Sequence, residues 1–231
     1  MDEPGITCHE SDFKYVINYF DYYSDKITEI NFTIEKFMTP EIMATICKLK
    51  NLKILNLSNQ NINYLPIEFG NLISLKKLIL NSNKLLELPS CIKKLEKLEF
   101  ISIHEPYIKS LPEEFGCLTN LNTISIDFVP KTSYCCDNKM LIYSHSSSSV
   151  IPPNTTHLNI IKSNYFAKFT NLPHALEYLN ISSNIFNFNE KNIYNNLPVS
   201  LKVLKINYGS NLKNIKLPFG CELWLRNKKI N

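Results

Sequence analysis

Apolar residues recur along this chain in one fixed phrase. Leu52-x-x-Leu55-x-Leu57 is followed by Leu75-x-x-Leu78-x-Leu80, Leu98-x-x-Ile101-x-Ile103 and Leu121-x-x-Ile124-x-Ile126, each starting 23 residues after the one before. A constant period of this size marks a repeat architecture and outranks any element-by-element reading. The first three phrases are each followed, at the same offset, by an apolar residue and a Leu-Pro pair: Ile62 with Leu65-Pro66, Leu85 with Leu88-Pro89, and Ile108 with Leu111-Pro112. A fainter unit, Ile27-x-x-Ile30-x-Phe32, precedes them. Alternation puts the second and third apolar residues of a phrase on one face of a short strand, and the first enters the same core from the preceding bend. No unit buries that face alone. Stacked edge to edge, the units pair their strands in a parallel sheet and bury a column of leucines, each worth about 1.5 to 3 kcal/mol when taken out of water. Proline after the last leucine of a coil suits an extended or turn segment with no ladder partner.

These residues resemble the leucine-rich repeat family, whose phrase LxxLxLxxNxL runs on into LxxLPxxfGxL. Leu75 to Leu98 matches it almost letter for letter, Asn83 included. The resemblance implies an α/β fold: a right-handed solenoid bent into a horseshoe arc, with a parallel concave sheet, an N-terminal helical cap and an irregular, helix-poor convex side. It also implies that an asparagine at the ninth position bonds the backbone of the neighbouring bend, satisfying polar groups that a buried turn would orphan. Asn83 and Asn184 hold that place, but Gln60, Pro106 and Val129 stand there in other units, so an irregular ladder is expected.

Four stretches follow from the pattern. Residues 1–26 form a helical cap, because Phe13, Val16, Ile17 and Phe20 make one helical stripe that Ser11 or Asp12 can cap. Residues 27–126 hold the 23-residue repeats, with a further helix expected from Pro40 to Leu49. Residues 127–150 break the register and read as an insertion or distorted coil ending in the serine loop Ser146-Ser147-Ser148-Ser149. Residues 151–231 resume with shorter units such as Leu172-Pro173-x-x-Leu176-x-x-Leu179-x-Ile181, similar to bacterial-type or FNIP repeats. After Trp224 no helical cap is evident; Arg226, Lys228 and Lys229 would discourage strand addition at that edge, or the edge is a dimer surface.

Composition removes whole classes of function. Hydrophobic residues make up 44% of the 231, enough for a large core, and the net charge is +4. The 29 Asn and 24 Lys against one Arg are the usage of an AT-rich genome, so a single surface Asn or Lys carries little weight. Charge is uneven, with residues 127–231 carrying twelve basic and five acidic groups, yet lysine without arginine lacks the bidentate contacts of specific nucleic-acid readers. Five glycines argue against phosphate-binding loops. Seven cysteines without repeated spacing fit neither a disulfide framework nor a zinc knuckle, and Cys135-Cys136 with His145 and His157 lack the gap that tetrahedral ligation prefers. Glu113-Glu114 reads as a solvated bend, and His145 beside serines has no acid partner. No catalytic motif, metal site, cofactor or small-molecule ligand is expected. An acidic start without an apolar signal run, and no stretch of membrane-spanning length, point to a cytoplasmic chain.

What remains is the outward face of the sheet. The third, fifth and seventh positions of each phrase point there: small polar groups dominate, but Ile79, Phe100, Tyr178 and Trp224 interrupt them. A sheet facing water has no folding reason to expose such side chains in line. The expected partner-binding residues are Ile54, Asn56, Lys77, Ile79, Phe100, Ser102, His104, Tyr178, Asn180, Lys205 and Trp224. The expected function is that of a non-enzymatic adaptor gripping a partner protein of unknown identity on its concave face. The alternative is a substrate-recognition subunit of a ubiquitin-ligase-type assembly.

Overall fold

The structure, a computed structural model, describes residues 6–7, 13–32, 35, 38–105, 107–108, 111–127, 151–161, 172–182, 197–207 and 215–230. Among these residues, eleven strands form one sheet in chain order. They are β1 (Ile6–Thr7), β2 (Glu29–Asn31), β3 (Ile54–Asn56), β4 (Lys77–Ile79), β5 (Phe100–His104), β6 (Thr123–Asp127), β7 (His157–Ile161), β8 (Tyr178–Ser182), β9 (Val203–Ile206), β10 (Glu222–Leu225) and β11 (Lys228–Lys229). Neighbours from β1 to β10 pair in parallel, so every coil returns beside its predecessor, which is how a solenoid is built. The antiparallel pair β10–β11 closes the end.

The register is the one the apolar phrase demands. Leu55 lies opposite Leu78, Leu78 opposite Ile101 and Ile101 opposite Ile124. All four are fully buried, and their strand neighbours Ile54, Lys77, Phe100 and Thr123 are half-exposed on the other face. The column continues across the expected insertion, since Ile124 pairs with Leu158 and five consecutive residues of β6 match β7. Residues 128–150, with the serine loop and Cys135-Cys136, lie outside the described residues, as does Asn184.

Opposite the sheet, each 23-residue coil makes one 3₁₀ turn directly after its Leu-Pro pair: Ile67–Asn71, Ser90–Lys94 and Glu113–Cys117. Proline at φ near −70° and extended ψ delivers the chain into each turn. Phe69, Ile92 and Phe115 point inward from these turns and are fully buried, so the core has a second spine behind the leucines. Gly70 suits the close stacking of the coils: a Cβ there would sit 3.0 Å from the Cys91 carbonyl oxygen, a tight contact.

At the N-terminal end, α1 (Phe13–Tyr22) places Phe20 in the core with Val16 and Ile17 packed on it. The sheet starts earlier than the sequence suggests, with β1 preceding α1. The second helix, α2 (Pro40–Ile46), is capped by Thr39, whose Oγ1 accepts the Ile42 N–H at 3.3 Å. It stops three residues short of Leu49, because the last turn tightens: the Cys47 N–H still reaches the Met43 carbonyl, but the Lys48 and Leu49 N–H groups turn to the carbonyls of Thr45 and Ile46, three residues back, at 3.0 and 2.9 Å. Leu49 is buried all the same. The C-terminal edge is covered by a two-residue hairpin rather than left open. Arg226 (φ 48°) and Asn227 (φ 62°) both take the left-handed conformation that matches strand twist in such turns. Among the described residues no helix is long and apolar enough to cross a membrane.

Candidate functional site

Strand pairing sorts the outward side chains into rows. One row runs Ile54, Lys77, Phe100, Thr123, His157, Tyr178, Val203 and Glu222. The next runs Asn56, Ile79, Ser102, Ser125, Asn159, Asn180, Lys205 and Trp224. The expected residues thus fall into two groups. Ile54, Asn56, Lys77, Ile79, Phe100, Ser102 and His104 lie together on β3–β5, and Tyr178, Asn180, Lys205 and Trp224 lie together on β8–β10. At about 4.8 Å per strand, β5 and β8 are roughly 14 Å apart along the sheet.

In the first group the Lys77 ammonium sits over the Phe100 ring, 5.2 Å from its centroid. The polar members are tied to one another. Ser102 Oγ donates to Asn81 Oδ1 at 2.9 Å, the same oxygen accepts the His104 N–H, and His104 Nε2 lies 3.0 Å from Ser125 Oγ. Ser102 is 6% exposed and Ser125 8%, so between the larger residues they form a floor and present little surface of their own.

The second group is a stack of aromatic rings and one cation. His157 lies nearly parallel to Tyr178, with centroids 5.6 Å apart. The Lys205 ammonium stands 5.5 Å from the Tyr178 ring centre and 5.3 Å from that of Trp224, between the two. Trp224 Nε1 donates to Glu222 Oε2 at 3.0 Å, and Lys229 Nζ reaches Glu222 Oε1 at 2.6 Å from the hairpin's return strand. The Lys229 contact, with that of Trp224 behind it, holds the Glu222 carboxyl below the usual carboxylate range. His157 was legible as an outward position; the Glu222–Lys229 clamp was not, because it depends on the hairpin.

The buried thiols outside these two groups are inert. Burial pushes the Cys47 thiol up to about 12 and raises those of Cys91 and Cys221, which leaves them protonated and unreactive. No grouping of three metal-ligating side chains exists among the described residues. Residues 35–215 match the family described as Leucine-rich repeat region. The chain belongs to the leucine-rich repeat family. Its outward rows are therefore the concave face of a protein-interaction scaffold of that family.

A search of curated protein sequences finds no match. Solved structures similar to this leucine-rich repeat chain share its fold at low identity. An internalin of Listeria monocytogenes is 18% identical, with a TM-score of 0.56 over 86% of this chain and 52% of its own. The receptor chain in the TLR13–ssRNA13 complex is 17% identical, with a TM-score of 0.62 over 89% of this chain and 30% of its own. The leucine-rich repeat domain of the type III effector XopL is 16% identical, with a TM-score of 0.55 over 94% of this chain and 84% of its own. The chain thus spans about half of the internalin and under a third of the receptor.

Proposed function

We propose that this leucine-rich repeat chain is a non-enzymatic interaction module that binds a partner protein on its concave face. The observation that carries this reading is the line of large rings on that face. Phe100, Tyr178 and Trp224 stand half-exposed on outward positions, while Ile101, Leu179 and Leu223 beside them are buried inward. Folding needs none of the three, whereas aromatic anchors set among small polar residues are what a protein interface uses. Ile79 and Lys77 extend the first anchor, and Asn180 and His157 flank the second. Role as the recognition subunit of a ubiquitin-ligase-type assembly would employ the same face and differ only in the proteins that co-purify.

The test is affinity capture from a host lysate with the native chain and with Phe100→Ala plus Tyr178→Ala, read by mass spectrometry. A protein retained by the first and lost with the second, at unchanged melting temperature, supports the reading. A capture profile indifferent to the double substitution overturns it. Cullin-adaptor proteins among the retained set would favour the ligase assembly.

A further inference from the structure

Some of the described lysines pair with carboxylates, and others rest on aromatic rings. Lys76, Lys202 and Lys229 pair with Glu99, Glu177 and Glu222 at 2.8, 2.8 and 2.6 Å. Lys77 and Lys205, on the concave rows, pair with no carboxylate among the described residues and rest on aromatic faces instead: Lys77 on Phe100, Lys205 between Tyr178 and Trp224. Around Lys205 the asymmetry is sharpest. The two acidic residues described in the last third of the chain, Glu177 and Glu222, are both held by other lysines. An ammonium between two rings is held against their faces, and a ring face leaves N–H donors that an oxygen acceptor can still satisfy. Such a lysine is ordered before any ligand arrives, which lowers the entropy cost of binding a carboxylate.

We propose that the concave face binds an acidic, extended peptide segment whose carboxylates seat on the ring-held ammonium groups of Lys205 and Lys77. This deepens the partner-binding reading above and rests on it. The geometry adds a spacing. β4 and β9 are five strand steps apart, roughly 24 Å along the sheet, which an extended segment covers in about seven residues at ~3.3 Å each. The partner segment therefore carries two acidic side chains about seven residues apart, with apolar side chains between them for Phe100 and Tyr178. A carboxylate suits these two sites better than a nucleic-acid backbone, because they are two isolated cations and not a continuous basic track.

The experiment selects ligands without bias. A phage-displayed library of random linear dodecapeptides is panned on the full chain in 150 mM salt, and enriched peptides are synthesised and titrated by calorimetry. Acidic residues are expected in the enriched set. Replacing the acid over Lys205 by its amide should weaken binding about tenfold, and Lys205→Met, with its fold checked by circular dichroism, should erase the difference between acid and amide. Enriched peptides without carboxylates that still need Phe100 and Tyr178 overturn this inference and leave the concave-face reading standing. Peptides indifferent to Phe100→Ala plus Tyr178→Ala overturn both. No enrichment above background, or a single-stranded oligonucleotide bound through Lys205 in the same salt in preference to every peptide, also overturns it.

Discussion

The carboxyl of Glu105 takes the place of a missing asparagine: its Oε1 accepts the backbone N–H of Asn83 at 2.5 Å, in a site where the glutamate is fully buried. Asn83 shows what the position normally does. Its Oδ1 accepts the N–H groups of Gln60 and Ile62 at 3.0 and 3.1 Å, and its Nδ2 donates to the carbonyls of Leu57 and Leu80 at 2.8 and 3.0 Å. One coil later the ninth position is Pro106, so the acid at the eighth position reaches the bend instead. It serves the N–H groups of Asn83 and Leu85 as the asparagine serves those of Gln60 and Ile62. Among the described residues Glu105 Oε2 has no hydrogen-bond partner, and burial pushes the group's pKa up to about 7. Protonated, the acid is the closer mimic of an amide, an acceptor on one oxygen and a donor on the other.

A pH dependence follows with a definite sign. Unfolded, a glutamate titrates near about 4.3; folded, Glu105 holds its proton to about 7. Within that window the folded chain binds a proton that the unfolded chain has released, so stability falls as pH rises through it and levels off above. The loss is on the order of 3 kcal/mol. The exposed carboxyls of Glu41 and Glu222 are shifted the other way, so their contribution is present throughout this window and disappears only at more acid pH. Urea midpoints measured from pH 5 to 8 should show the decline in the native chain and its absence in Glu105→Gln, which should be the more stable of the two at pH 8. Parallel curves would rule the protonated glutamate out.

Asn83 itself should be among the costliest polar residues to lose. Alanine there strands two backbone N–H groups and two carbonyls inside the stacked bends. With each orphaned group costing about 1 to 3 kcal/mol, Asn83→Ala should destabilise by roughly 4 kcal/mol or more. Lys84→Ala, at the exposed next residue, should stay within about 0.5 kcal/mol. Chemical denaturation of the two variants side by side measures the contrast.

The inward and outward faces are separable by one residue of sequence. Leu78 is fully buried between Leu55 and Ile101, while Ile79 beside it is half-exposed on the concave row. Leu78→Ala should cost about 2 to 5 kcal/mol through lost burial and the cavity left behind. Ile79→Ala should cost under about 1 kcal/mol and act on partner binding instead. Equal losses in both would mean the strand phase is wrong.

That phase was legible because a strand's side chains alternate, and a phrase recurring every 23 residues admits one register in which Leu55, Leu78, Ile101 and Ile124 share a core. The concave rows, and with them Phe100, Tyr178 and Trp224, come from the same arithmetic. Other features had no comparable signal. β1 is two residues long and carries no apolar phrase. Glu105 was hidden because its role is displaced by one position from where Pro106 stands. Ser102 reads as a contact residue from its row, yet its burial depends on the bulk of the side chains across the sheet, which no single strand specifies. The seating of Lys205 on Tyr178 and Trp224 likewise joins three coils and appears only once they are stacked.

Arg226 and Asn227 explain how the last parallel strand avoids being an open edge. Both adopt positive φ, the conformation in which a side chain is strained and glycine is not. Neither is the Asn-Gly pair that announces such a turn, so the hairpin was hidden from the sequence. The turn folds β11 back on β10, where the Ile230 N–H donates to the Leu223 carbonyl at 2.9 Å and Lys229 closes on Glu222. Arg226→Gly should relieve the strain and raise stability by about 1 kcal/mol, read as a higher melting temperature. Ending the chain after Leu225 removes the covering strand, leaving the outer row of β10 backbone groups unpaired and Glu222 without its lysine. Unpaired strand edges recruit one another, so this truncated chain should self-associate in light scattering at concentrations where the intact chain scatters as a smaller species. Identical scattering from the two would mean that the hairpin does not protect the edge.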